Sequence, residues 1–129
     1  MKIFLLVLAL VLTSSACNDN VEMENQERDI VILSELRNEI LELAGKNICA
    51  DDEECNFLGL GSKPCGGYWS YIVYSNSIQV DDLLSRVAYY NKFEKELNNK
   101  WNLVSDCSFV LPPSSLICEN GKCKAVYSI

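Results

Sequence analysis

The 129-residue chain contains no histidine, the residue that most often serves as a general base or as a zinc ligand. Ser-His and Cys-His nucleophile pairs are therefore excluded. The chain also lacks an excess of basic residues. Its formal net charge of −7 argues against nucleic-acid binding, which needs basic side chains to neutralise phosphates. After the first twelve residues, no apolar run approaches the roughly 20 residues that span a bilayer.

The first sixteen residues have the layout of a secretory signal peptide. Lys2 precedes an unbroken apolar run over 3–12, and four small residues follow at 13–16. Because Cys17 comes next, the segment resembles a bacterial lipoprotein signal, in which that cysteine becomes the lipidated first residue. The resemblance covers residues 1–17 and departs from the family at Ser14, where leucine is usual. It implies an outer-membrane lipoprotein of the bacterial cell envelope, anchored by palmitate-type acyl chains and facing the periplasm or the cell surface.

The cysteine count bears on the same question. The alternative is an ordinary signal peptide cut near residue 16, which leaves Cys17 as an unpaired thiol. Seven cysteines are an odd number, whereas the six that remain without Cys17 can pair completely. A free exposed thiol is a liability in an oxidising compartment, so the count favours lipidation.

The charge of the mature chain is unevenly distributed. Removing residues 1–16 takes away one lysine and leaves a net charge of −8. Residues 17–60 carry twelve acids and three bases, whereas residues 61–129 carry six acids and seven bases. Residues 17–26 are polar and have no apolar periodicity, which predicts a flexible tether ahead of a single folded domain over 27–129.

Hydrophobic periodicity predicts two helices and five strands in that domain. Apolar residues recur at spacings of three and four over 27–44 and again over 80–97, as on one helical face. Strands are predicted over 57–61, 68–75, 103–111, 116–119 and 122–127. Asn120-Gly121 is a strong signal for a type I′ hairpin turn between the last two. The predicted class is α+β, a small disulfide-stapled domain whose antiparallel sheet of about four strands is covered by the two helices.

Six cysteines are expected to form three disulfides: Cys49, Cys55, Cys65, Cys107, Cys118 and Cys123. Six cysteines allow 15 pairings, and the sequence does not choose among them. A bridge from Cys118 to Cys123 is geometrically allowed because they lie opposite each other in the predicted hairpin. Alternatively, each joins the hairpin to another element. The spacings lack a Cys-x2-Cys zinc knuckle, so no metal or other cofactor is predicted.

Few residues suggest chemistry. The acidic run 51–54 has the oxygen ligands that Ca²⁺ prefers but not the spacing of an EF-hand, and a solvated turn is the favoured interpretation. No catalytic residue is predicted, and we expect a protein that is not an enzyme. The alternative is an envelope hydrolase that uses carboxylates distant in sequence.

A stiff loop and an aromatic strand form the predicted contact surface. The loop 63–67 contains proline, cysteine and two glycines, and the aromatic strand follows it directly. A loop held by a disulfide loses little entropy on binding, and aromatic side chains often anchor interfaces. The candidate binding residues are Lys63, Tyr68, Trp69 and Tyr71. Ordinary packing is the alternative role of these aromatic side chains.

Residues 49–126 are similar to a cysteine-rich domain of uncharacterised secreted bacterial proteins. The landmarks that carry the resemblance are Cys49, Cys55, Cys65-Gly66-Gly67, Ser105-Asp106-Cys107 and the pair Cys118 and Cys123. The resemblance implies a foldable disulfide-bearing domain and no particular site. The function predicted from the sequence is a lipid-anchored binding protein whose partner is an envelope or secreted protein, as for an inhibitor or an immunity-type factor.

Overall fold

The computed structural model describes residues 18–128. The predicted signal peptide and the predicted lipidation site at Cys17 lie outside these residues. The described residues divide between two compact units, one that ends at residue 31 and one that begins at residue 32. Neither described helix is long and apolar enough to cross a bilayer.

Two helices and four strands make up the regular structure of the described residues. A short 3-10 turn, Asp52–Glu54, precedes the first strand. The elements are helix α1 (Asn18–Gly45), strands β1 (Cys55–Leu60) and β2 (Ser70–Ser75), helix α2 (Val80–Lys100), and strands β3 (Ser115–Glu119) and β4 (Lys122–Val126). The α+β class and the disulfide-stapled character of the domain are confirmed.

Helix α1 begins earlier than the sequence pattern predicts. Residues 18–26, predicted as a flexible tether, are helical. This stretch contains no glycine or proline, and glutamate, methionine and glutamine are good helix formers. An ion pair between Glu24 and Arg28, one helical turn apart, adds support. Apolar periodicity signals a buried helix face, so it could not reveal a helical turn that buries no such face.

The core lies in the second unit, where both helices pack against the β1–β2 sheet. Ile40, Leu60 and Leu83 are the most deeply buried large side chains, each at most 1% exposed. The predicted face of α1 is confirmed in its second half, because Leu33, Leu36 and Leu43 pack against the same cluster. The buried members of this core are Ile40, Ala44, Leu60, Ile72, Tyr74, Leu83, Val87 and Tyr90.

The four strands form two antiparallel sheets of two strands each, not the single sheet of about four that the sequence suggested. Strands β1 and β2 pair from Cys55 with Ser75 to Leu60 with Ser70. Strands β3 and β4 form a separate hairpin. Its turn has the predicted Asn120-Gly121, both with positive φ as a type I′ turn requires. Disulfides and side-chain contacts, rather than a backbone ladder, join the hairpin to the rest.

Three disulfides join the cysteines as Cys49–Cys118, Cys55–Cys123 and Cys65–Cys107. Cys118 and Cys123 do lie opposite each other in the hairpin, as predicted. The bridge between them that this position allowed is not formed. Each instead bonds a cysteine near the start of the other sheet, so the two bridges fasten β3 and β4 to the segment around β1.

Carboxylates of the acidic run 51–54 accept hydrogen bonds from backbone N–H groups. Asp51 accepts a hydrogen bond from the N–H of Glu53 and caps the 3-10 turn. Asp52 accepts one from the N–H of Cys118 at 2.6 Å, and Glu54 one from the N–H of Ala50 at 2.8 Å. Three of its carboxylates therefore help to hold the hairpin and the turn in place.

Candidate functional site

Lys63 is buried, contrary to its predicted role as a surface contact. Its side chain is 3% exposed, and the ammonium donates to Asp106 at 2.5 Å. It also donates to the carbonyl and the hydroxyl of Ser108, at 2.8 and 3.2 Å. The same ammonium lies 5.1 Å from the centre of the Trp69 ring, within cation–π range. Lys63 therefore joins two chain segments from the inside, and a partner cannot reach it.

These contacts define two segments that meet at the site. We call residues 61–69 the clasped loop and residues 103–113 the extended segment. The Cys65–Cys107 disulfide links them covalently, and the N–H of Cys65 donates to the hydroxyl of Ser105. The Lys63 hydrogen bond, with a further contribution from Ser108, holds the pKa of Asp106 below its ordinary value. The Asp106 carboxylate therefore stays ionised to lower pH than a free aspartate.

One polar face of α2 holds the clasped loop. Asn91 accepts a hydrogen bond from the N–H of Gly61 at 2.6 Å and donates one to the carbonyl of Gly59 at 3.1 Å. The amide of Asn98 donates to the carbonyl of Ser62 at 2.7 Å. Asn91 and Asn98 are seven residues apart, so they lie on the same helical face. Neither asparagine was predicted as a site residue, although polar residues at helical spacing beside the core face were the available signal.

Glu94 lies between these two asparagines on the same face. It accepts a hydrogen bond from the N–H of Ser62 at 2.5 Å and one from the indole of Trp69. Burial raises the pKa of its carboxyl, and the two hydrogen bonds oppose the rise only in part. Burial, aided by the charge of Glu94, also raises the pKa of neighbouring Tyr90 to about 12.

Two glycines admit aromatic side chains against the backbone. A Cβ at Gly59 would lie 2.1 Å from the Tyr68 ring, so this ring covers the glycine on the outer face of the sheet. Gly61 has a φ of +90°, and a Cβ there would lie 2.6 Å from the Trp69 ring. Neither position accommodates a larger residue without moving an aromatic ring of the site.

The aromatic residues do not follow a regular alternation along the predicted strand over 68–75. Such an alternation would place Tyr68 on the face of Tyr74, with Trp69 and Tyr71 on the other. In the structure Tyr74 is buried in the core, while Tyr68 packs edge-on against Tyr71 with ring centres 5.8 Å apart. Strand β2 begins only at Ser70, so Tyr68 lies outside the strand and does not follow its alternation. Tyr68 and Trp69 are 44% and 46% exposed.

The extended segment corresponds to the predicted strand over 103–111, which is not formed. The chain runs through residues 103–113 without a turn or a bend, but it pairs with no other strand of the described chain. The clasped loop instead holds the segment through side-chain hydrogen bonds and a disulfide. Its large apolar side chains point outward: Val104 is 91%, Phe109 74% and Leu111 65% exposed.

A groove of about 520 Å³ lies at the other end of α2, where α1 ends. It brings together carboxylates distant in sequence, as the hydrolase alternative requires. Arg86 pairs with both Glu39 and Asp82 there, each at 2.9 Å. The hydrogen bond with Asp82 is the main reason why the pKa of Arg86 is raised. Both carboxylates are thus committed to one cation.

Metal-ligating atoms converge at one place within the described residues. The sulfur atoms of Cys49, Cys55 and Cys123 lie within 4.8 Å of one another. All three belong to disulfides, and an oxidised sulfur is not the thiolate that binds a metal. No protein family, curated protein or solved structure matches the chain. The properties of the site therefore rest on its own geometry.

Proposed function

We propose that this chain is a lipid-anchored protein of the bacterial outer membrane whose disulfide-stapled domain binds a partner protein. Its mode of action is that of an inhibitor or an immunity-type factor, and it carries out no reaction. The observation that supports this is the exposure of Trp69 and Phe109 on two segments that Lys63 and a disulfide hold together. Apolar side chains of this size on a fixed backbone are typical of interaction sites.

The rigidity of these segments favours binding. The contacts of Lys63, Asn91, Glu94 and Asn98 order the clasped loop before any partner arrives. The entropy of ordering it is therefore lost on folding rather than on association, which leaves more of the contact energy for affinity. The hydrolase alternative has less support, because the carboxylates of the groove at Glu39 and Asp82 are paired with Arg86.

The binding surface is tested by affinity capture from native envelopes. We expect Trp69→Ala to reduce recovery of the captured partner at least about tenfold, as for an interface anchor. Tyr89→Ala is the matched control, because Tyr89 is a similarly exposed aromatic residue that lies on α2 away from the loop. Circular dichroism and a count of free thiols verify that both variants remain folded. Equal recovery by the two variants would place the partner elsewhere.

The anchor is tested separately by replacing its acceptor. We expect Cys17→Ser to move the protein from the membrane pellet to the soluble envelope fraction, because the substituted residue cannot carry the thioether lipid. The measurement is the distribution of the protein between these fractions after lysis. Retention of the variant in the membrane pellet would contradict lipid anchoring at Cys17 and leave the binding proposal unaffected.

A further inference from the structure

Residues 107–111 have the geometry of a peptide presented to an enzyme. The chain here is free of turns, bends and positive φ angles, and Phe109 is 74% exposed. Within the described chain, no protein acceptor takes a hydrogen bond from the backbone N–H of Phe109, Val110 or Leu111. An extended backbone with unused hydrogen-bonding groups and alternate side chains exposed is what strand-addition recognition requires.

Both ends of this stretch are fastened. On the N-terminal side, Cys107 is in a disulfide, and the carbonyl of Ser108 accepts from the Lys63 ammonium at 2.8 Å. On the C-terminal side, Pro112 and Pro113 follow, and Pro113 is buried. Ser114 then donates from both its N–H and its hydroxyl to the carbonyl of Val126. The exposed residues between these supports are held in one backbone conformation.

The composition of the stretch indicates the kind of cleft that would receive it. Residues 107–113 carry no charge, and Phe109, Val110 and Leu111 are consecutive apolar residues. Endopeptidases bind the chain in extended form and select one side chain by the shape and charge of a primary pocket. Phe109 is the largest and most exposed of the three, so an apolar primary pocket is the one that fits it.

We propose that residues 107–111 are a substrate-like inhibitory loop that occupies the active-site cleft of an endopeptidase, with Phe109 in an apolar primary pocket. This inference rests on the proposed binding function and specifies its partner class. The fixed backbone explains inhibition rather than digestion. Because the disulfide and Lys63 hold the chain before Phe109 and the buried Pro113 holds it afterwards, the loop binds without loss of freedom and cannot readily move away.

The test uses the mature full-length protein in detergent with two serine endopeptidases as probes. Chymotrypsin has an apolar primary pocket, whereas trypsin has an acidic one. We expect inhibition of chymotrypsin with a constant of about 10⁻⁷ M or tighter, in the range of stable complexes of this kind, and much weaker inhibition of trypsin. Phe109→Gly is expected to weaken chymotrypsin inhibition about 100-fold, as for the loss of a central anchor.

A change of specificity is the sharper expectation. Phe109→Lys should transfer inhibition from chymotrypsin to trypsin, because lysine fits the acidic pocket and the exposed position tolerates either side chain. Val104→Ala is the matched control, since Val104 is exposed in the same segment but lies before the disulfide. We expect its inhibition constant for chymotrypsin to remain within about twofold of the original value, as for a residue outside the contact.

Several results would overturn the loop proposal. They are no inhibition of chymotrypsin, rapid cleavage after Phe109 in place of inhibition, or a Phe109→Lys variant that does not inhibit trypsin. If Trp69→Ala abolishes partner capture from envelopes while chymotrypsin is not inhibited, the binding function stands and the loop proposal fails. If Trp69→Ala leaves capture intact while Phe109→Lys changes the protease specificity as described, the loop proposal stands and the Trp69 surface is not its contact.

Discussion

Replacing Cys55 and Cys123 together by alanine is expected to lower the free energy of unfolding by about 3 kcal/mol, because the bridge closes a ring of roughly 13 residues in an unfolded chain that keeps its other disulfides. The two cysteines are 68 residues apart in the sequence, but the Cys49–Cys118 bridge already joins the same two segments. Without the bridge, the unfolded chain regains the conformations that this closure removes. Replacing both partners avoids leaving a free thiol, so thiol oxidation or disulfide exchange does not complicate the measurement.

The loss of stability in the Cys55/Cys123 variant should be concentrated in the β3–β4 hairpin. The cluster that packs β3 and β4 against the rest of the domain has Cys49, Cys55 and Cys123 as its buried members, with only Val73, Leu116 and Cys118 partly buried around them. The disulfide-bonded cysteines therefore make up most of this cluster. Loss of one bridge removes buried contact area together with the cross-link, and the hairpin should become the first part to open.

Urea unfolding followed by circular dichroism measures the loss, and hydrogen exchange locates it. The control variant replaces Cys65 and Cys107, which lie in the clasped loop and the extended segment and not in the hairpin core. It should leave hydrogen exchange in β3 and β4 as slow as in the unmodified protein. Equal stability of the Cys55/Cys123 variant and the unmodified protein would show that packing alone fixes the hairpin.

Ile40→Ala is expected to destabilise the domain by about 3 kcal/mol, within the range measured for buried isoleucine truncated in a core. Ile40 is 1% exposed and is the most buried residue of α1. Its loss removes apolar contact with the core cluster and leaves a cavity that the neighbouring side chains fill only in part.

Leu41→Ala is the matched control for Ile40→Ala. The two residues are adjacent on α1 and similar in volume, but Leu41 is 36% exposed. Both changes introduce alanine, and the resulting gains in helix propensity differ by only about a few tenths of a kcal/mol. The difference in unfolding free energy between the two variants therefore isolates the effect of burial. Comparable urea midpoints for the two variants would mean that the second half of α1 does not contribute to the core.

Local patterns were sufficient where the cause of structure is local. The helical face of α1 and the type I′ turn at Asn120-Gly121 follow from side-chain spacing and from the φ angles that these residues tolerate. The predicted strand over 103–111 was wrong, because a strand needs a partner as well as suitable residues. The start of α1 was missed because its first turns bury no apolar face that periodicity could detect.

Only part of the candidate site could be predicted from the sequence. The exposure of Tyr68 and Trp69 agrees with their selection as contact residues, although their role in binding is still a proposal. Lys63 was selected for the wrong reason, because a lysine in a loop usually faces solvent and nothing local reveals a carboxylate 43 residues away. Phe109 was not predicted as a contact residue, because it lies within the predicted strand over 103–111.

The sequence by itself determined the helices, the hairpin turn and the even set of six cysteines, because spacing, backbone freedom and composition act over a few residues. Only the tertiary structure decided which cysteines join, that Lys63 lies inside, and that residues 103–113 pair with no strand of the described chain. These outcomes depend on contacts across 40 residues or more. At such separations many pairings compete. The native pairing is the one that compensates buried charges, forms backbone hydrogen bonds and packs the side chains at the same time.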